Sequence, residues 1–152
     1  MRENDKMSPY KLLGVEVLVH FLIMYAVMFT MVNAADDIYF NLNNLYMTGM
    51  MVTPMVVLML VTMNQMYRNK LFNRLLIVGS VVLFAVSYVF ERQQAFIGDK
   101  QFIRSMIPHH SGAILMCDKA VLRDAEIIKL CGEITEGQKK EIEQMKEILR
   151  RL

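Results

Sequence analysis

The stretch MIPHHSGAILMCDKA, running from Met106 to Ala120, gathers two adjacent histidines, two methionines and a cysteine. Thioether and thiolate sulfur prefer soft ions such as Cu(I), while imidazole accepts several transition metals. On a helix, Met106 lies three and four positions before His109 and His110, the spacing at which neighbouring side chains meet one ion. His110 and Cys117 are seven positions apart, about 10.5 Å along a helix axis, so one ion does not easily use both. Two soft tiers are therefore expected: an outer one of Met106, His109 and His110, and an inner one of Met116, Cys117 and Cys131. Zinc fits less well, because neither tier assembles four strong nitrogen, thiolate or carboxylate ligands within one hairpin.

Each of these residues has a plainer use. One histidine can face a bundle core with its nitrogens hydrogen-bonded while the other sits in solvent. Met116 and Met145 are also good fillers of irregular core gaps. The cysteines leave two alternatives open. An oxidising compartment favours a disulfide, yet a bridge needs Cα atoms about 4.4 to 6.8 Å apart, while packed helices usually lie about 8 to 10 Å axis to axis. Ala113, Ala120 and Gly132 permit a closer approach.

These side chains must be positioned by helices, because the chain beyond Phe90 shows helical spacing and no strand-like alternation. Phe102, Met106, His109, Ala113, Met116 and Ala120 recur at steps of four and three. Pro108 either kinks this run or opens a new helix. Asp124 is a candidate N-cap for AEIIKL, and a second stripe follows at Ile127, Cys131, Ile134, Gln138, Ile142, Met145, Leu149 and Leu152. Two antiparallel helices joined near Arg123 and Asp124 result. Residues equally far from Asp124 should then face each other: Cys117 with Cys131, His110 with Gln138, and Met106 with Ile142, Met145 lying one turn on. Two helices bury little on their own, so the hairpin is expected to pair with a second copy as a four-helix bundle or with the rest of the chain.

The residues before this tail are of another kind. Hydrophobic residues make up 55% of the chain, mean hydropathy is +0.31, and the apolar residues crowd into the first ninety positions. Crossing a bilayer core takes about 20 apolar residues in a helix, and Leu12–Val32, Leu45–Met66 and Leu71–Phe90 qualify. The first lacks a small-residue cleavage site and reads as a retained helix. Basic residues mark the cytoplasmic side: Arg2, Lys6 and Lys11 precede the first span, and Arg68, Lys70 and Arg74 follow the second. The first connection, NAADDIYFNLNN, has none. The N-terminus is thus expected inside and everything after Phe90 outside. Asp36 and Asp37 read as a solvated acidic loop. Met47, Met51, Met55, Met59 and Met63 recur every four positions, as do Glu16, His20, Met24 and Met28. They form either plain apolar lining or a ladder for a soft cation, since ionisable residues in a span usually face a bundle interior.

FIRSMIPHHSGAILMCDKA followed by AEIIKLCGEITEGQKKEIEQMKEIL resembles the DUF305 family, whose loose motif falls here on Met106, Ile107, Pro108, His109, His110, Gln138, Glu141, Ile142 and Met145. The resemblance covers the last sixty or so residues, and the first ninety are similar to the three-helix membrane half that precedes this domain in some relatives. It implies a ferritin-like helical bundle and periplasmic copper binding through Met106, His109, His110, Met116 and Met145. Cys117 and Cys131 mark a cysteine-bearing variant.

The sequence thus predicts an all-α chain. Residues 1–90 form three transmembrane helices, and residues 91–152 form an extracytoplasmic antiparallel hairpin of ferritin-like, four-helix-bundle type, completed by dimerisation. The expected setting is a bacterial inner membrane with the hairpin in the periplasm. The expected function is binding of a soft metal, copper as Cu(I), for sequestration or hand-off, with the bilayer, a second copy and a metal-donor or acceptor protein as partners. The alternative is a structural or adaptor protein whose hairpin mediates docking without metal. A net charge of +2, with no basic stripe interleaved with aromatics, argues against nucleic acid. No enzyme is expected, because no third group orients a Cys–His pair.

Overall fold

The structure is a computed structural model and describes residues 8–152; the basic residues Arg2 and Lys6 of the N-terminal arm lie outside the described residues. It is all-α, with α1 (Pro9–Val27), α2 (Leu42–Thr62), α3 (Lys70–Gln93), α4 (Asp99–Lys119) and α5 (Ala125–Arg151), and a short 3-10 turn at Ala35–Asp37. Two compact units result. One holds α1, α3 and nearly all of α2; the other joins Met28–Asn44 to Phe96–Leu152.

In the first unit, all three helices are long and apolar enough to cross a membrane. Their polar termini follow ordinary capping chemistry: the Asn69 side chain accepts from Phe72 N–H at 3.0 Å, and α3 stops at Gln94, whose φ of 52° is left-handed. A small core of Leu13, Val56, Leu60 and Tyr67 joins the helices. Small residues bring α2 and α3 together, since a Cβ added to Gly49 would sit 2.8 Å from Ser87 Oγ, the kind of close approach that holds helices together in lipid. The side of α2 turned inward carries Gly49, Val52, Thr53, Val56 and Leu60. The methionine series lies to the flank and outside: Met47, Met51 and Met63 are exposed, and Met55 and Met59 half-buried. Within this unit the methionines are lining and form no enclosed ladder.

The first span is shorter than its hydropathy suggests. Apolar sequence continues to Val32, but the helix ends at Val27, and Met28 onward belongs to the second unit. Tertiary contacts claim this segment: Asn33 N–H donates to Ser111 Oγ at 2.8 Å, and Leu42 N–H donates to Gln101 Oε1 at 3.2 Å. Gly112 permits the approach, because a Cβ there would lie 3.2 Å from the Met31 carbonyl oxygen.

In the second unit, α4 and α5 form the antiparallel hairpin. Asp124 caps α5 as expected, accepting from Glu126 N–H at 2.9 Å and Ile127 N–H at 3.1 Å. Pro108 lies inside a continuous α4. The core is Ile103, Ile107, Ile114 and Ile142, flanked by Tyr39, Met145, Ile148 and Leu149. This corrects the expected stripe on α4: Phe102, His109 and Met116 are exposed, and the buried face is Ile103, Ile107, His110, Ser111 and Ile114. Both series repeat at steps of four and three, one residue apart. Periodicity alone therefore leaves the helix free to rotate by one position, and burial of the three isoleucines selects between the two settings.

Candidate functional site on the helical hairpin

The histidine pair is split by the helix it stands on. His110 turns into the hairpin and is only 8% exposed, while His109 faces outward; their ring centroids are 6.0 Å apart. Two acceptors flank the His110 ring. Nδ1 lies 2.9 Å from the Met106 carbonyl oxygen one turn earlier, and Nε2 lies 2.8 Å from Glu141 Oε2 on α5. A carbonyl can only accept, which assigns a proton to Nδ1 and fixes the ring's orientation. Nε2 and Glu141 Oε2 share one hydrogen bond across the two helices.

Glu141 replaces the expected partner. Equal spacing from Asp124 pairs His110 with Gln138, but the carboxylate one turn farther along reaches the ring. Gln138 instead keeps its Oε1 buried and unbonded among the described residues. Opposition by position treats side chains as points; the Glu141 side chain is long enough to cross a turn. Its 57% exposure also leaves it free to move away from the ring.

Cys117 and Cys131, equidistant from Asp124, form a disulfide with Cα atoms 5.4 Å apart. Of the two alternatives open in the sequence, the structure takes this one, and in the oxidised form the pair has no thiolate to offer. The bridge stands in a cleft of about 620 Å³ lined also by Asp118, Ile128, Thr135 and Lys139. A hydrogen bond from Lys119 holds the Asp118 carboxyl below its usual range. Met145 packs on the isoleucine core, while Met116 is 56% exposed. The inner tier of Met116, Cys117 and Cys131 is thus covalently closed, and among the described residues no group of three or more His, Cys, Asp or Glu stands together as a metal cluster. Of the outer tier, His110 is held inward with Nε2 on Glu141, His109 stands outward beside it, and half-buried Met106 lies one turn away.

A second polar group joins the segment Met28–Asn44 to the hairpin. Asp37 is 5% exposed; it accepts from the Ser111 hydroxyl at 2.6 Å and pairs with Lys146 Nζ at 2.6 Å. Ser111 is fully buried. The expectation of a solvated acidic loop is therefore corrected for Asp37, while Asp36 remains exposed. A buried carboxylate needs a paired charge or donors, and here it has both. Nothing in the local sequence of Asp37 announces partners more than seventy positions away. A serine inside an apolar helical face was the one available signal.

The domain of unknown function DUF305 matches residues 91–151. An uncharacterised protein of Acanthamoeba polyphaga mimivirus is 37% identical over 119 residues, which cover 77% of this chain and 76% of that protein. An alignment of that length reaches beyond the hairpin into the apolar half. No solved structure matches the chain.

Proposed function

Because the chain belongs to the DUF305 family, we propose that it is a membrane-tethered domain that takes up a soft cation, copper as Cu(I), through His109, His110 and Met106 on the non-cytoplasmic side. The observation that carries this reading is the His110 ring: Nδ1 is anchored on a backbone carbonyl and Nε2 is presented between α4 and α5. A carbonyl behind the distal nitrogen is the usual support of a metal-ligating imidazole. Glu141 would leave Nε2 or join as a further ligand. His109 and the Met106 thioether supply donors of suitable softness, and a second hairpin in a homodimer, or a donor or acceptor protein, completes the set during hand-off. Bound copper would contribute soft-acid coordination, and the protein's own part is to orient the ring and hold the two helices in register. No catalytic reaction is assigned.

The disulfide supports the proposed topology, since such bridges persist in oxidising compartments. It agrees with Lys and Arg counts that put the first connection and the hairpin on one side and Arg68, Lys70 and Arg74 on the other. In a bacterium this is the inner membrane with the hairpin in the periplasm. The topology holds equally for any membrane with a reducing and an oxidising face.

A docking role without metal is the second reading. It is favoured by the fact that both His110 nitrogens already have partners and that Val121 and Ile128 stand exposed near the hairpin's closed end. An anaerobic Cu(I) titration of the full chain in detergent, against a chromophoric chelator, decides between the two. Binding weakened at least about tenfold in the His109→Ala, His110→Ala variant supports the metal site. Binding that is absent, or unchanged in the variant, leaves the docking role.

A further inference from the structure

The three-helix unit contains a crevice that its own side chains do not fill. It measures about 390 Å³ and is walled by Gly14, Val17 and Phe21 of α1, Val52 of α2, and Gly79 and Leu83 of α3. That volume lies within the roughly 300 to 1,000 Å³ of small-molecule sites. Two glycines open it: a Cβ added to Gly14 or Gly79 would meet nothing within 4 Å. Helix interiors disfavour glycine by about 1 kcal/mol relative to alanine, and neither glycine serves a close helix contact of the kind Gly49 makes with Ser87. An apolar void in a spanning bundle does not hold water, which needs polar partners, and leaving it empty forfeits dispersion contacts along all its walls. The surrounding solvent of such a crevice is acyl chain.

One end of the crevice is polar. Tyr10 lines it and also lines a second hollow, of about 530 Å³, bordered by Ser8, Gln65, Arg68 and Asn69. The shared tyrosine is fixed in place: its hydroxyl donates to Asn73 Oδ1 at 2.9 Å and accepts from Asn69 N–H at 3.0 Å. Its ring stacks edge-on against Phe72 with centroids 4.8 Å apart. Around this polar hollow are a hydroxyl, a side-chain amide and the Arg68 guanidinium, which makes no ion pair among the described residues, with Lys11, Lys70 and Arg74 exposed in the flanking sequence. Fork-shaped guanidinium groups recognise phosphate with two hydrogen bonds. Basic pockets at the cytoplasmic ends of spanning helices suit anionic headgroups.

From the junction of an apolar crevice with a basic hollow at Tyr10, we infer that the three-helix unit binds one anionic phospholipid, its acyl chain between α1, α2 and α3 and its phosphate against Arg68. The inference rests on α1 to α3 being spans and is independent of the metal reading. The lipid would act as a structural ligand that fills the three-helix bundle from its Tyr10 end.

The test uses the full chain, purified in mild detergent with a metal chelator present and exposed to phosphatidylglycerol or phosphatidylcholine. Retained lipid is read by mass spectrometry and thermal stability by a melt. Wild type should retain phosphatidylglycerol in preference and melt higher with it. Arg68→Gln should retain it about tenfold more weakly, the size expected for a lost charge-assisted pair. Gly14→Leu with Gly79→Leu, which plugs the crevice while improving helix propensity, should abolish retention without lowering the lipid-free melting temperature. Equal retention of the two lipids overturns the proposal, as does undiminished retention in the plugged variant. A lipid-free dimer that the plug dissociates would show a second copy in the crevice and overturns it too. Alkaline extraction of membranes separates the premises: a chain released into the soluble fraction sinks the spanning assignment itself, whereas an integral chain without lipid sinks only the site.

Discussion

The three-helix unit and the hairpin unit differ in what their interiors are made of. The first joins a few aliphatic residues and small ones, Gly49, Ser80 and Ser87, and leaves most of its apolar surface outward; in α1 only Leu13 is buried, and in α3 only Ser80 and Ser87. The second buries four isoleucines together with a carboxylate, a serine and a histidine, each polar group tied to a named partner, and adds a half-buried disulfide. In the bilayer that the proposed function gives the first unit, apolar side chains would gain little by turning inward, and helices would be chosen by shape. In water, exposure of the same side chains is costly, and a hairpin with so small a core needs covalent and charged fastenings in addition. The units therefore should respond differently to the same chemical insult.

The widest separation is expected from matched core truncations. Ile107→Ala, at a fully buried position, should cost about 3 to 4 kcal/mol. Leu60→Ala, which is 3% exposed in the other unit, should cost roughly half as much, since packing is lost without a matching transfer to water. Helix-resolved hydrogen exchange in detergent reads both, and equal costs would erase the distinction between the units. Next in size is the disulfide. Cys117→Ser with Cys131→Ser, freeing a loop with a sequence separation of 14, should destabilise α4 and α5 by about 3 kcal/mol and leave exchange in α1 to α3 unchanged.

Asp37→Asn should follow at about 2 kcal/mol. Loss of a buried partner costs roughly 3 to 5 kcal/mol, and here the loss is reduced because Lys146 is 30% exposed and can reach water. Limited proteolysis within residues 28–44 is the measurement: faster cleavage is expected, and unchanged cleavage would show that the segment is held by its apolar contacts alone. The smallest effect is that of the α5 cap. Asp124→Ala removes the side-chain acceptor of the Glu126 and Ile127 N–H groups and should cost about 1 kcal/mol, seen as fraying of the first turn of α5 with the disulfide still closed.

The hairpin was legible because local signals agreed. Asp124 has the chemistry of a cap, and its position sets the two cysteines opposite each other with no knowledge of the rest of the chain. The rotation of α4 was not legible, since two interleaved series one residue apart both satisfy helical spacing. Glu141 was visible as part of the family motif but not as the partner of His110, because side-chain reach is not encoded in distance from a turn.

By itself the sequence determined the helical class, the three apolar segments long enough to span a bilayer, the turn at Asp124 and the placing of the two cysteines opposite each other, though not the bond between them. Each follows from composition, period or spacing within a few turns of helix. Only the tertiary structure decided that α1 ends at Val27 while apolar sequence continues, that Asp37 is buried against Ser111 and Lys146, and that His110 faces inward while His109 faces out. Those outcomes depend on which of several nearly equivalent faces can bury the most apolar surface while leaving no charge unpaired. That comparison exists only once distant segments compete for the same space.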